Sequence, residues 1–320
     1  MKHFTVNEIK IASYKKASVY DAVSGGSRPR IVFIHSKTNQ KFFFKTYTHN
    51  PREVWAEALA SHIGQLTGIP TQKVTIKTAP LRLKEILIKH FPTKVDQNWT
   101  RVGTLARNIF PKDYEITYGS NIVGSIGNPL TLNQAESFIR DKYYAADDLL
   151  QSYAEMIVFD AFIGNMDRHH ENWGISESKT YKQMVLFDQK NLASKRHFAP
   201  LFDHGSSLMF ELSDQKVSQL NADDEALYRY ILASKYSFLL DESGKSTNVF
   251  KVIEQEIASK SDWGKRFKNS AIKIVSIDLL SLSTLLIQMP TLPALEYNQK
   301  RRSLLYKSLL FRYNKIKSLL

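Results

Sequence analysis

The residues best suited to chemistry lie near the middle of the chain. Asp167 and Asn172 are five residues apart, after an apolar run typical of a buried helix and before a run typical of a strand. A second carboxylate, Asp203, follows a short apolar run about 30 residues further on. Phosphoryl-transfer sites have this layout: one Asp orients the attacking hydroxyl, and an Asn and a second Asp hold Mg²⁺ at the phosphates of ATP. The spacing therefore predicts a phosphotransferase.

Two charged residues near the N-terminus could complete such a site. Lys45 ends a very apolar strand, so it either protects an edge strand from aggregation or binds nucleotide phosphates in a cleft. Glu57 lies beside the apolar stripe of the helix predicted over 52–63. A carboxylate at the inner margin of a helix needs a partner, and Lys45 is the natural candidate.

Composition restricts the class of protein. The chain has 320 residues, no cysteine and a net charge of +13, so disulfides and cysteine-based zinc sites are excluded and anionic partners are favoured. No G-x-x-x-x-G-K-[ST] loop is present, which argues against a Walker-type NTPase. No signal peptide is evident, and the most apolar run, 274–289, is shorter than the ~20 residues of a spanning helix. We expect no transmembrane segment.

The order of the elements predicts an α+β fold with two lobes. Residues 1–90 form the expected N-lobe, β-rich with one helix. Its predicted strands include 31–34, 41–47, 73–77 and 85–89. Residues 91–320 form the helical C-lobe, with helices predicted over 149–164, 221–240, 246–259, 264–287 and 297–320. Lys89 and Phe91, at the expected junction of the lobes, are further candidates for nucleotide binding.

Two segments carry a resemblance to a known family. They are Ile-Gly-Asn-Met-Asp-Arg-His-His-Glu-Asn-Trp-Gly at 163–174 and Ala-Pro-Leu-Phe-Asp-His-Gly-Ser-Ser-Leu at 199–208. Together they resemble the HipA-like serine/threonine kinases, and most closely the compact members of the HipT/CtkA type. The match is specific over about 150–210 and fainter around Glu57. We expect the protein to lack the extra N-terminal subdomain of the full-length members.

The resemblance implies the two-lobed α+β fold of protein kinases, with a β-rich N-lobe and a helical C-lobe, and a role for each matching residue. Asp167 would be the catalytic base or the group that orients the substrate hydroxyl. Asn172 and Asp203 would bind Mg²⁺, while Lys45 would bind the phosphates of ATP with support from Glu57. The phosphate-covering loop would consist of Ser24, Gly25, Gly26 and Ser27. Because some family members autophosphorylate in that loop, Ser24 and Ser27 are candidate phosphorylation sites.

Three residues close in sequence to the candidate site residues need a separate interpretation. Arg168 could pair with a phosphate or with a carboxylate of its own lobe. His169 is expected to form a structural hydrogen bond in the catalytic loop, because no H-E-x-x-H helix accompanies the histidines. His204 stands where the family often has an apolar residue.

Two rival functions remain at this point. Phosphatidylinositol kinases also combine a D-R-H-x-x-N loop with Asp-x-Gly, and a basic chain would suit an anionic headgroup. A nucleotide-binding pseudokinase or binding module would instead use the basic C-terminal helices to hold a partner. The resemblance also suggests a toxin or secreted effector, acting in the cytoplasm or inside a host cell, with a protein substrate and an antitoxin or activating partner.

The basic residues are concentrated at the C-terminus. Residues 265–320 contain eleven basic and two acidic side chains, a net charge of +9. The helix predicted over 297–320 is amphipathic, so its leucines could pack on the C-lobe. Its lysines and arginines could instead contact an anionic ligand or surface.

Overall fold

The computed structural model describes residues 4, 6–20, 29–47, 50–95, 97–109, 113–124, 129–178 and 196–320. Its N-terminal part is a six-stranded sheet with two helices, and its C-terminal part is mainly helical. This is the α+β arrangement that the order of elements predicted. The candidate residues of the phosphate-covering loop, Ser24 to Ser27, lie outside the described residues.

The sheet is mixed, with strand order β1-β5-β6-β4-β3-β2. Its strands are β1 (Asn7–Glu8), β2 (Tyr14–Tyr20), β3 (Arg30–His35), β4 (Lys41–Thr46), β5 (Val74–Thr78) and β6 (Val102–Arg107). The predicted strands at 31–34 and 41–47 are confirmed as the antiparallel pair β3–β4, in which Lys45 lies opposite Arg30. On its other side, β4 pairs with β6, so Lys45 is carried by an interior strand and not by an edge.

The structure corrects two predictions about the N-lobe. The predicted strand at 85–89 lies within the helix α2 (Leu81–His90), which begins after Pro80 and buries Leu83 and Leu87. Those two leucines are four residues apart and lie on one helical face, whereas alternation alone suggested a strand. The sheet also extends beyond residue 90, because β6 inserts between β4 and β5. A boundary at residue 90 would divide the sheet.

Helix α1 (Arg52–Thr67) packs between the sheet and the C-lobe. Most of its side chains are buried, including Glu53 and Glu57. The Trp55 ring lies 5.4 Å from the ring of Tyr297, and Arg52 Nε lies 3.2 Å from Glu296 Oε2. The C-lobe therefore fixes the helix that carries Glu57.

The second part of the chain holds a small sheet and the remaining helices. Strands β7 (Tyr114–Tyr118), β8 (Gly174–Ser178) and β9 (Arg196–Phe198) form an antiparallel sheet in that order. The helices are α3 (Gly119–Val123), α4 (Leu132–Lys142), α5 (Asp147–Ile163), α6 (Asp214–Ala222), α7 (Asp224–Ala233), α8 (Val249–Ala258), α9 (Asp262–Val275), α10 (Leu279–Gln288) and α11 (Gln299–Lys317).

The predicted helix at 149–164 is confirmed as α5, and twelve of its side chains are buried. The predicted helix at 264–287 is two helices, α9 and α10. Asp278 separates them, because its carboxylate accepts hydrogen bonds from the N–H groups of Leu280 and Ser281 and so caps α10. The predicted helix at 221–240 ends at Ala233.

The basic C-terminal helix, α11, packs into the C-lobe as its leucines predicted. Leu304, Leu305 and Leu309 are buried, and so are the arginines Arg301 and Arg312. Several of its cations pair internally: Arg301 with Asp214, Lys307 with Asp224 and Lys315 with Glu254. Among the described helices, no single one is long and apolar enough to cross a membrane. The consecutive helices α9 and α10 have sufficient length and apolar character only when taken together, and they are bent by 64° relative to each other.

Gly103 gives a first prediction about how the fold holds Lys45. A Cβ at Gly103 would lie 2.3 Å from the carbonyl oxygen of Lys45 and 2.7 Å from the Phe44 ring. We expect Gly103→Ala to lower the free energy of unfolding by about 1–3 kcal/mol, the usual cost of overpacking. Urea denaturation would measure it.

Gly244→Ala is the control, since an added methyl there meets nothing within 4 Å and is opposed only by the positive φ of 77°. That variant should lose about 1 kcal/mol. A Gly103→Ala protein as stable as the wild type would mean that β4 can move away from β6 at no cost.

Candidate active site

The loop that carries Asp167 and Asn172 directly follows helix α5. The helix ends at Gly164, whose φ of 69° is the left-handed conformation that glycine adopts without strain. Asn165 then bridges helix and loop. Its Nδ2 donates to Asp160 Oδ1 at 3.1 Å, and its Oδ1 accepts from the backbone N–H of Asp167 at 3.3 Å. The loop therefore leaves the helix in a fixed direction.

Asp167 and Asn172 lie together at opposite ends of this loop. Asp167 is exposed and Asn172 is buried. Asn172 Nδ2 donates to the carbonyl oxygen of Asp167 at 3.3 Å, which turns the carboxamide oxygen away from that carbonyl. The ring of His169 accepts from the backbone N–H of Glu171 at 3.3 Å and caps the short 3₁₀ turn His170–Asn172. The structural role predicted for His169 is confirmed.

Asp203 joins the two lobes. It follows Leu201, which forms a bridge with Thr71 of the N-terminal part, and it has a positive φ of 59°. Lys45 Nζ donates to Asp203 Oδ1 at 3.0 Å, with 12% of the Lys45 side chain and 27% of the Asp203 side chain exposed. The ion pair is thus at the junction of the lobes and accessible to solvent. The structure thus brings together Lys45, which was predicted to bind the phosphates of ATP, and Asp203, which was predicted to bind Mg²⁺.

Glu57 faces the same loop from helix α1. It is 1% exposed, and its Oε2 lies 3.5 Å from the position that a Cβ on Gly205 would take. Glu53 Oε2 lies 3.2 Å from that position. Glycine at 205 thus allows α1 to approach the Asp203 loop closely. The pairing of Glu57 with Lys45 stays a prediction.

Arg168 connects the two loops, and the sequence left its partner open. Its guanidinium is fully buried and forms a two-pronged ion pair with Asp160 of α5, Nε to Oδ2 and Nη2 to Oδ1, both at 2.9 Å. Its Nη1 donates to the carbonyl oxygens of Asn172 and Phe202. The partner is therefore a carboxylate of its own lobe. Burial alone would lower the pKa of Arg168, but the charge of Asp160 leaves that pKa raised.

His204 receives the last bond of Arg168. The Arg168 Nη2 and the His204 Nδ1 are 2.9 Å apart. Because a guanidinium has no acceptor, Nδ1 must be the acceptor and the imidazole must be neutral. Burial, and then the charge of Arg168, lower the pKa of His204 well below its ordinary value, which agrees with a neutral ring.

Lys89 and Phe91 do not join this group. Phe91 is 4% exposed and belongs to the apolar core of the N-lobe with Ile31, Phe33 and Phe44. Lys89 is exposed at the C-terminal end of α2, and no contact described in the structure links it to the two loops. Both predictions assumed that a strand led into the junction of the lobes, whereas the chain there is helical.

Asp160 was not among the site residues predicted from the sequence. A carboxylate inside an apolar helix, eight residues before an arginine, was the available signal, because a buried charge needs a partner. The links from Arg168 to Phe202 and His204 had no local signal, since they join residues that are far apart in the chain.

The donors at the two loops fit a magnesium ion. Mg²⁺ prefers oxygen ligands and is commonly bound by one or two protein groups together with substrate phosphates. Asp203 offers a partly exposed carboxylate and Asn172 a carboxamide oxygen turned away from the Asp167 carbonyl. Over the described ranges, no cluster of three or more His, Cys, Asp or Glu could form an all-protein cage. The arrangement thus suits a metal that arrives with a nucleotide.

In both sequence and structure, the chain is similar to a known kinase. The chain is 25% identical to the serine/threonine-protein kinase CtkA of Helicobacter pylori over 130 residues, or 40% of this chain. The crystal structure of CtkA superposes with a TM-score of 0.67 at 18% identity, over 91% of this chain and 92% of that one. The chain resembles the HipA-like kinases in sequence and in fold. The predicted resemblance and the two-lobed kinase-like α+β fold are confirmed.

A second structure has the same fold at lower similarity. HipA in the complex of the Shewanella oneidensis toxin–antitoxin system with HipB and operator DNA superposes with a TM-score of 0.51 at 11% identity, over 97% of this chain and 67% of that one. The sequence match to CtkA spans 36% of the length of that curated relative. No family model matches the chain.

Proposed function

We propose that the chain is a serine/threonine protein kinase of the HipA-like type, which transfers the γ-phosphoryl group of ATP to a Ser or Thr hydroxyl. The observation that carries the proposal is the fixed placement of an exposed carboxylate, Asp167, beside two oxygen ligands. Arg168 donates to the carbonyl oxygens of Asn172 and of Phe202, which precedes Asp203, and so links the two loops. The resemblance to CtkA supports a protein substrate.

Asp167 is suited to act on the substrate hydroxyl. Its carboxylate is exposed, while its backbone is fixed by Asn165 and Asn172. A Ser or Thr hydroxyl that donates to this carboxylate would be oriented for in-line attack on the γ-phosphorus. Its proton would pass to Asp167 as the new O–P bond forms, while the bond from the γ-phosphorus to the bridging oxygen breaks and ADP leaves. Ser206 Oγ, 3.5 Å from Asp167 Oδ2, shows that a hydroxyl can approach there.

Lys45, Asn172 and Asp203 are suited to hold the triphosphate. Mg²⁺ bound by Asn172 and Asp203 would supply charge neutralisation at the phosphates. Lys45 Nζ lies 3.0 Å from Asp203 Oδ1, and its ammonium would add a positive charge to phosphates bound there. Positioning and charge stabilisation supply most of the catalysis in such sites.

Several parts of the proposal go beyond the chemistry of the site. An antitoxin or activating partner is proposed because HipA was crystallised with HipB and operator DNA. A role as a toxin or secreted effector, in the cytoplasm or in a host cell, follows from the resemblance alone. Autophosphorylation at Ser24 or Ser27 is also proposed, and phosphopeptide mapping would test it.

The proposal predicts the outcome of incubating the pure protein with γ-labelled ATP and Mg²⁺. Wild type should label itself or an added protein on Ser or Thr, and Asp167→Ala should lower the rate about 10²–10⁴-fold, the usual contribution of a positioned base. Nucleotide affinity should change little, because Asp167 contacts the acceptor.

Asp148→Ala is the matched control, because Asp148 is an exposed carboxylate in the first turn of α5, at the other end of that helix. It should transfer phosphate at the wild-type rate. Label on phosphatidylinositol vesicles, with none on protein, would indicate a lipid kinase instead. Nucleotide binding with no transfer to protein or lipid would indicate a pseudokinase.

A further inference from the structure

His204 is a buried polar side chain that the proposed chemistry leaves unexplained. It follows Asp203 directly and is 0% exposed, with its ring 5.6 Å from the ring of Phe159 in an edge-on contact. An apolar side chain would suit such surroundings better unless the imidazole had a specific partner. That partner is Arg168, 2.9 Å away.

The bonds of Arg168 show what His204 contributes. A guanidinium has five N–H donors in a fixed planar fork. Two of the bonds go to Asp160, one each to the carbonyl oxygens of Asn172 and Phe202, and one to His204 Nδ1. All five donors are used. Because the fork is rigid, acceptors from the Asn172 loop and from 202–204 are brought to one plane.

We propose that His204 is a positioning residue, which acts through Arg168 to fix the spacing of the two oxygen ligands Asn172 and Asp203. This inference rests on the proposed function and deepens it. Arg168 holds the backbone of Asn172 on one side, and it holds both residues that flank Asp203, Phe202 through the carbonyl and His204 through the ring. With the imidazole removed, one N–H of the fully buried Arg168 lacks an acceptor, and the Asp203 loop loses one of its two bonds to Arg168.

The test measures how nucleotide binding depends on Mg²⁺. A non-hydrolysable ATP analogue is titrated into the full chain by calorimetry at increasing Mg²⁺ concentration and also without metal. We expect His204→Leu to raise the half-saturating Mg²⁺ concentration about 10-fold or more, as the loss of residues that orient metal ligands commonly does. Affinity for the analogue without Mg²⁺ should stay at the wild-type value.

Two further variants separate positioning from packing. His204→Asn places a carboxamide oxygen where Nδ1 stood, so it should keep the half-saturating Mg²⁺ concentration within about 3-fold of wild type, because an acceptor for Arg168 remains. Ser207→Ala is the matched control, since its buried hydroxyl donates to the His204 carbonyl oxygen at 2.7 Å and not to Arg168. It should lower thermal stability without changing the Mg²⁺ dependence.

The possible results distinguish the two proposals. If His204→Leu shows the wild-type Mg²⁺ dependence, or if His204→Asn shifts as much as His204→Leu, the positioning role is overturned and the kinase proposal stands. If His204→Leu has no cooperative unfolding transition, His204→Gln replaces it. Its acceptor is one methylene further out, so the same shift is expected, and an unchanged value overturns the role. Wild type that binds the analogue without any effect of Mg²⁺ overturns both proposals.

Discussion

Arg168→Met should lower the free energy of unfolding by about 3–5 kcal/mol, the cost of leaving one partner of a buried ion pair uncompensated. Arg168 and Asp160 are both 0% exposed, so no solvent is available to the remaining carboxylate. Phosphoryl transfer should fall below detection, since the Asn172 and Asp203 loops would lose their common anchor. Guanidinium denaturation and the labelling assay would measure the two effects.

A double variant separates stability from catalysis. Asp160→Leu with Arg168→Met removes both charges, and such replacements are often neutral or stabilising. We therefore expect most of the lost stability to return, while transfer stays absent because the link to Asn172 and Phe202 is still missing. Arg140→Ala is the matched control: its pairs with Glu136 and Asp147 are exposed and should contribute at most about 1 kcal/mol. If transfer returned in the double variant, Arg168 would stabilise the fold only.

The engagement of Arg168 also bears on regulation. In kinases whose activation loops are ordered by phosphorylation, arginines pair with the new phosphate. Arg168 is fully buried, and all of its N–H donors already have acceptors, so none is left for such a phosphate. Asp160 provides the negative charge that it pairs with. In this chain, the carboxylate that pairs with Arg168 is Asp160, which belongs to helix α5.

The loop chemistry could be predicted from the sequence because its parts are local. Asp167 and Asn172 lie on one short turn, and the apolar run of α5 fixes where that turn begins. The string at 163–174 therefore carries both the residue types and their arrangement. His169 caps the turn it belongs to, so its role could be anticipated as well.

The wrong predictions come from contacts that the sequence does not encode locally. Residues 81–90 contain both an alternation and a four-residue apolar spacing, and a stretch this short satisfies either pattern. The helix is favoured because it buries both Leu83 and Leu87 against the sheet. In the same way, β6 joins the sheet by pairing with β4 and β5, both distant in the chain, so the extent of the N-lobe could not be seen from composition.

Asp203→Asn should abolish measurable transfer, with a loss of about 10³-fold or more, because it removes the charge of the proposed metal ligand and the anionic partner of Lys45 together. Asp203 has a φ of 59°, and asparagine is one of the few residues that adopt this conformation readily. The variant should therefore fold. The Lys45–Asp203 pair is partly exposed, so unfolding free energy should change by at most about 1 kcal/mol.

The matched control for this substitution is Asp223→Asn. Asp223 caps helix α7 by accepting from the backbone N–H of Ala226, and asparagine caps equally well, so the same chemical change should leave both stability and transfer unchanged. Binding of an ATP analogue separates the steps: Asp203→Asn should lose the gain in affinity that Mg²⁺ gives, while binding without metal persists. Transfer at the wild-type rate in Asp203→Asn would exclude Asp203 as the proposed metal ligand, and its ion pair with Lys45 would then have a structural role.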